Sequence, residues 1–125
     1  MAIISKLVAI IQARLGSKRF PNKVIKKVNG YPLILFMIDR LSQSSMIDEV
    51  VVATTSSPID DRLNELLIKS DISVFRGDEN DVLDRYYNAA KHSSADHIVR
   101  LTGDCPIIDI SVVNEVIKQY MDGDY

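Results

Sequence analysis

The chain has a single cysteine, Cys105, in 125 residues, so it can form no internal disulfide and suits a reducing cytoplasm. Only two histidines are present, His92 and His97, which excludes a metal cage of Cys and His in practice. Any metal is then expected to be a hard cation on oxygen ligands. Long hydrophobic runs are missing: stretches such as Leu33 to Ile38 are far too short to cross a bilayer. The N-terminus carries no signal-peptide pattern, only one Lys before an apolar run. No repeat, low-complexity tract or linker interrupts the chain, and 125 residues fit one domain, 1–125. Neither sign of charge dominates, the net being −2, which argues against a nucleic-acid binder; no membrane partner is expected either.

One absence is local. No acidic residue occurs before Asp39, so Lys6, Arg14, Lys18, Arg19, Lys23, Lys26 and Lys27 stand unopposed. The apolar run Leu7 to Ile11 gives way to a short loop with four of these cations, one Gly and one Pro, ending at Lys23. Concentrated positive charge beside a small-residue turn suits a polyphosphate, although a solvated basic loop has the same composition. The loop is not a Walker loop, because the Gly-Lys-Ser/Thr ending is absent, and one glycine cannot make a dinucleotide fingerprint. Arg14 and Arg19 could grip phosphate oxygens bidentately, with Lys18 and Lys23 as point charges. Gly16 is expected to permit a turn or a close backbone approach.

Strand-like runs at Leu7–Ile11, Glu49–Thr54, Ile72–Phe75 and His97–Leu101 alternate with helical patterns. The helices are expected over Pro32–Gln43, Ile59–Lys69, Asp81–His92 and Ser111–Met121, with Pro32 in the first turn of the first. In the second, Ile59, Leu63, Leu66 and Leu67 form an apolar stripe, with Asp60, Asp61, Arg62, Asn64 and Glu65 turned largely to solvent. This alternation predicts an α/β fold, a Rossmann-like three-layer α/β/α sandwich with a mostly parallel sheet. Its ligand site is expected beyond the carboxyl ends of the strands. Polar loops follow all four predicted strands there.

In Arg100-Leu101-Thr102-Gly103-Asp104-Cys105-Pro106, Asp104 either holds Mg²⁺ against phosphate oxygens or closes the strand with an Asx-turn. Cys105 reads as a packing residue, since no His stands near it in sequence. Asp81 is a plausible N-cap for the third helix, Asp84 favours its first turn, and Tyr86 and Tyr87 read as packing residues. Arg76-Gly77, at the end of a strand, has no such structural account.

These segments together resemble one family. Ile-Gln-Ala-Arg-Leu-Gly-Ser-Lys-Arg-Phe-Pro-Asn-Lys, Val52-Ala53-Thr54-Thr55, Phe75-Arg76-Gly77 with Asp81-Val82-Leu83-Asp84-Arg85-Tyr86, and Thr102-Gly103-Asp104-Cys105-Pro106 occur in its order. The chain is similar to the spore-coat polysaccharide cytidylyltransferase-like family, related to CMP-sialate and CMP-deoxyoctulosonate synthetases. The resemblance implies the sheet of the nucleotide-diphospho-sugar transferases, incomplete here because relatives are roughly twice as long. It implies a triphosphate site of Arg14, Gly16, Ser17, Lys18, Arg19 and Lys23, with Thr54 and Arg76 near base and ribose. Arg14, Lys23 and Asp104 would act in catalysis, and Asp104 would hold Mg²⁺. The implied substrates are CTP and an acidic sugar, joined as a CMP derivative with release of pyrophosphate for surface or spore-coat polysaccharide. Exposed sheet edges suggest a homodimer or oligomer. Two other readings stand beside it: a non-catalytic nucleotide-binding module, and a glycosyltransferase A type transferase. The second would need its Asp-x-Asp motif at Asp122-Gly123-Asp124.

Overall fold

A computed structural model describes residues 5–16, 22–103 and 108–123. Its elements run β1 (Leu7–Gln12), β2 (Lys27–Val28), β3 (Tyr31–Pro32), α1 (Leu33–Ser42), β4 (Glu49–Thr55) and α2 (Asp61–Lys69). They continue with β5 (Ser73–Gly77), α3 (Val82–His92), β6 (His97–Thr102) and α4 (Ile110–Met121), while Lys23–Ile25 and Pro58–Asp60 form 3-10 turns.

The expected strands and helices are all present. β1 is the centre, with Leu7 to Ile11 buried in succession, as a strand covered on both faces requires. Its alternate side chains serve two layers. Leu7, Ala9 and Ile11 pack with Ile34, Met37 and Leu41 of α1, Leu63 and Leu67 of α2, and Val113 and Ile117 of α4. Val8 and Ile10 pack on the other face with Val51, Ala53 and, from α3, Tyr86 and Ala89. Fully burying one such aliphatic side chain is worth roughly 1.5–3 kcal/mol, so this doubly covered strand contributes strongly to stability.

The main sheet has the order β5-β4-β1-β6, and every pairing in it is parallel. The chain steps outward from β1 to β4 and β5, then returns through α3 to pair β6 with the other side of β1 (Leu7↔His97 to Gln12↔Thr102). The direction of winding therefore reverses between β1 and β6. In open α/β sheets this is where ligands settle, beyond the carboxyl ends.

Three expectations need correction. Pro32 does not start α1; it pairs in a β2–β3 hairpin and holds the extended N-cap position, while Leu33 N–H donates to Lys26 O (2.9 Å). The hairpin was legible in Asn29-Gly30, whose φ angles of 52° and 81° suit a two-residue hairpin turn. Ile59 leaves the α2 stripe, being 57% exposed, because the 3-10 turn rotates it outward and turns Asp60 inward instead. Tyr87 is 64% exposed, whereas Tyr86 is buried and donates its hydroxyl to Leu101 O. Adjacent helical positions point about 100° apart, so only one of the pair reaches the core.

The caps are well made. Asp81 accepts from Asp84 N–H (2.9 Å) at α3, as expected, and Asp109 accepts from Ser111 N–H (2.9 Å) and Ser111 Oγ (2.6 Å) at α4. Those two Ser111 bonds, the hydroxyl first, hold the Asp109 carboxyl below its ordinary range. A depressed folded value means stabilisation that is complete above the unfolded value, about 3.9, and lost as pH falls through the folded one. Asp109→Ala should therefore lower Tm at pH 7, and its gap from the parent should close below about pH 4. Thermal melts across that range test this; a gap that persisted unchanged at low pH would exclude the ionised cap.

Candidate functional site

Beyond Gln12 the chain leaves the sheet while still tied to β4, through Ala13 N–H to Ala53 O (3.2 Å). Arg14 is exposed, but Leu15 turns back and is buried in the core. Two hydrogen bonds hold Leu15: its N–H donates to Asp60 Oδ1 (2.7 Å), and its carbonyl accepts from Asn22 N–H (3.1 Å). The second brings Leu15 and Asn22 together. Asn22 itself adopts φ 62°, and Lys23 follows as the first residue of a 3-10 turn, half-buried.

Asp60 is the residue that the sequence reading missed. It is 2% exposed, and its other oxygen, Oδ2, accepts from Thr55 Oγ1 at the end of β4. Nothing local announces this, since Asp60 reads as an ordinary acidic residue at a helix start and its partner Leu15 lies 45 positions away. Arg76 braces the same corner. Its Nε donates to Thr55 O (2.8 Å), its Nη2 donates to Ser57 O (2.9 Å), and Nη2 pairs with Asp61 Oδ1 (2.8 Å). Thr54 is fully buried, and its Oγ1 has no hydrogen-bond partner.

From the other side, Gly103 carries β6 against the exit of β1, with its N–H donating to Gln12 O (2.8 Å). A Cβ on Gly103 would stand 3.1 Å from Ala13 Cβ and 3.2 Å from Val24 Cγ1, so glycine is what permits this approach. The chain just before Asp104 is thereby pinned at the root of the basic loop. Gly16 has no such role: a Cβ there would meet nothing within 4 Å, and its φ is not left-handed.

Between the two exits lies a cavity of about 220 Å³, lined by Gln12, Ala13, Arg14, Val24, Val82, Thr102 and Gly103. A larger concavity of about 440 Å³ sits among residues near the amino ends of β1, β4 and β5. It is lined in part by Lys6 and Glu49, which pair with each other at 3.1 Å. The smaller one occupies the switch point, where parallel sheets bind ligands. The structure therefore brings Arg14 to the cavity, sets Lys23 next to the loop closure, and engages Arg76 in bracing. Ser17, Lys18, Arg19, Asp104 and Cys105 lie outside the described residues. Among the described residues, no group of three or more His, Cys, Asp or Glu could hold a metal ion, and no helix is long and apolar enough to cross a membrane. Asp122 follows the last turn of α4, near the opposite end of the sheet, because Tyr120 contacts His97 Nδ1 (2.9 Å) at the start of β6. An Asp-x-Asp motif there would be remote from the switch point.

Fold and site together define a Rossmann-like α/β protein with a cavity at the β1–β6 junction. The cytidylyltransferase family model matches residues 8–125, and the chain belongs to that family. A cytidylyltransferase from Leptospira borgpetersenii serovar Hardjo-bovis superposes with a TM-score of 0.88 at 42% identity, over 94% of this chain and 50% of that one. CMP:2-keto-3-deoxy-manno-octonic acid synthetase complexed with CTP superposes at 0.84 and 28% identity, over 94% of this chain and 48% of that one. The spore coat polysaccharide biosynthesis protein SpsF of Bacillus subtilis is 35% identical over 95% of this chain and 51% of its own length. The chain thus spans about half the length of the curated relatives it matches.

Asp60→Ala should destabilise the fold by about 2–4 kcal/mol, since it leaves the buried Leu15 N–H and Thr55 hydroxyl without an acceptor. Urea unfolding checks this, with the midpoint falling and the slope unchanged. A change within experimental error would show that Asp60 does not hold the loop.

Proposed function

We propose that this chain is the CTP-binding part of a cytidylyltransferase that activates an acidic sugar as its CMP derivative, in the cytoplasm, for cell-surface or spore-coat polysaccharide. The observation that carries this reading is the closed basic loop beside the β6 exit, in a chain of this family. The CTP complex of the deoxyoctulosonic acid synthetase and the likeness to SpsF support the base and the substrate class.

The residue types suit the chemistry. A sugar hydroxyl attacks the α-phosphorus, the bond from that phosphorus to the bridging oxygen breaks, pyrophosphate departs and the hydroxyl proton passes to solvent. The chain supplies no nucleophile; it positions the triphosphate and stabilises the leaving charge. Arg14, Lys18, Arg19 and Lys23 are the cations for that task, with Gly16 and Ser17 offering backbone and hydroxyl donors. By the family resemblance Thr54 and Arg76 would stand near the base and ribose. The pinned approach of Gly103, whose N–H donates to Gln12 O, supports Asp104 as the metal ligand. Asp104 would hold Mg²⁺, whose charge would offset the charge that develops at the α-phosphate.

Calorimetric titration with CTP, ATP, GTP and UTP, each with and without Mg²⁺, tests the reading. Selective, Mg²⁺-dependent binding of CTP is expected, and binding of none of them would overturn it. Lys18→Ala and Arg19→Ala should each weaken CTP by roughly tenfold or more and CMP much less, since each removes a charge-assisted contact. Asp104→Asn should remove the Mg²⁺ dependence. CTP binding without product formation in the presence of sugar acid would favour a non-catalytic nucleotide-binding module.

We also propose self-association through β6, which has no neighbour on its outer side among the described strands and exposes Ile98. Sedimentation should show a dimer or larger species; a monomer at high micromolar concentration would remove this idea.

A further inference from the structure

Arg85, in the first turn of α3, is fully buried, yet half of its guanidinium has no partner. Its Nη1 donates to Asp78 O (2.9 Å) and Glu79 O (3.3 Å), whereas Nε and Nη2 meet neither an acceptor nor solvent. Those two nitrogens share one edge of the planar group. Their N–H bonds run parallel, the arrangement that grips two oxygens of a carboxylate or phosphate. Buried donors of this kind are normally satisfied, so an entirely empty edge needs an account.

The surroundings are built to place it there. A Cβ on Gly77 would stand 2.8 Å from Arg85 Cγ and 2.9 Å from Phe75 Cε1, so the arginine stem passes β5 only because residue 77 is glycine. The neighbouring charges do not neutralise it fully. Burial, and next the like charge of Arg14, push the Arg85 guanidinium below its ordinary value, while Asp60 and Asp78 act the other way. Both Asp60 oxygens already accept from Leu15 and Thr55. Arg14, the neighbouring cation, is the one that lines the switch-point cavity. Arg85 lies near enough to Arg14 for their like charges to act on each other, and it holds an unused pair of donors. The turn Asp78–Asp81 is exposed, and Arg85 ties it down through Nη1.

We propose that Arg85 is a substrate-binding residue whose Nε–Nη2 edge receives an oxyanion of the bound substrate, with Arg14 as its partner cation. This rests on the nucleotide reading above. The oxyanion chemistry is shared by the triphosphate and by the carboxylate of a sugar acid, and the experiment separates the two.

Wild type, R85K and R85Q are titrated calorimetrically with CTP, with pyrophosphate, and with 3-deoxy-manno-octulosonate in the presence of saturating CTP. Lysine keeps the charge but cannot present two parallel donors. If phosphate fills the edge, both variants lose at least tenfold in affinity for CTP and pyrophosphate. If the sugar carboxylate fills it, CTP affinity holds and the sugar acid is weakened tenfold or more. A purely structural arginine would lower Tm while the folded variants bound every probe as wild type does, which would overturn the proposal. A second measurement needs no variant to fold: ¹⁵N NMR of the wild-type arginine Nε–H groups. One buried Nε–H resonance should shift on saturation with CTP or with CTP plus sugar acid, and an unmoved buried resonance would also refute the role. Failure of wild type to bind any probe would sink the nucleotide reading itself, a result distinct from equal binding by all three proteins.

Discussion

The Asp60 carboxylate holds the candidate site together, because it joins the exits of β1 and β4 beyond their last backbone bond, Ala13 N–H to Ala53 O. Parallel strands end at their carboxyl edge with unpaired backbone groups, and loops leaving β1 and β4 would otherwise diverge. One buried carboxylate accepts from the Leu15 N–H on the first loop and the Thr55 hydroxyl on the second. Burying a charge is costly unless it is hydrogen-bonded, and both oxygens are. Leu15 then serves as an apolar plug among cations, fixing where the basic loop leaves the core, while Arg76 holds the carbonyls of Thr55 and Ser57 beneath it.

Around that anchor the site is a balance of like charges at close quarters. Arg14 lines the cavity, and after burial its charge is what most lowers the Arg85 guanidinium, while Asp60 acts the other way. A polyanion is the natural complement of such a cluster, since it removes repulsion as well as gaining contacts. The opposite end of the sheet is different in kind. There Lys6 is paired with Glu49 and bonded to Ser93 O (2.8 Å), so its larger concavity contains charges that are already matched.

Most of the fold was legible because its signals are local. β1 and β4 are uninterrupted apolar runs, α1 carries a stripe at Ile34, Leu35, Ile38 and Leu41, and Asp81 caps α3 as its position suggested. The misses share a cause. Asp60 and Ile59 exchanged their expected environments because a 3-10 turn changes the angular step by which side chains are placed. Tyr87 faces solvent because adjacent helical positions point about 100° apart and Tyr86 takes the core side. Of the site, the loop that bears the cations was legible from charge and composition. The buried groups that fix it, Asp60, Leu15 and Arg85, were not, because their environment comes from contacts between segments far apart in sequence.

By bridging Asn22 to Leu15, the fold brings the two ends of the basic loop together before any ligand arrives. The chain entropy lost in closing that loop is thus lost during folding, and association does not have to supply it. For a loop of about six residues the length-dependent part of that loss is about 1.6 kcal/mol. In affinity this corresponds to more than a factor of about ten. A ligand at this loop therefore meets residues whose termini are already in register, so each contact it makes with them adds more directly to binding.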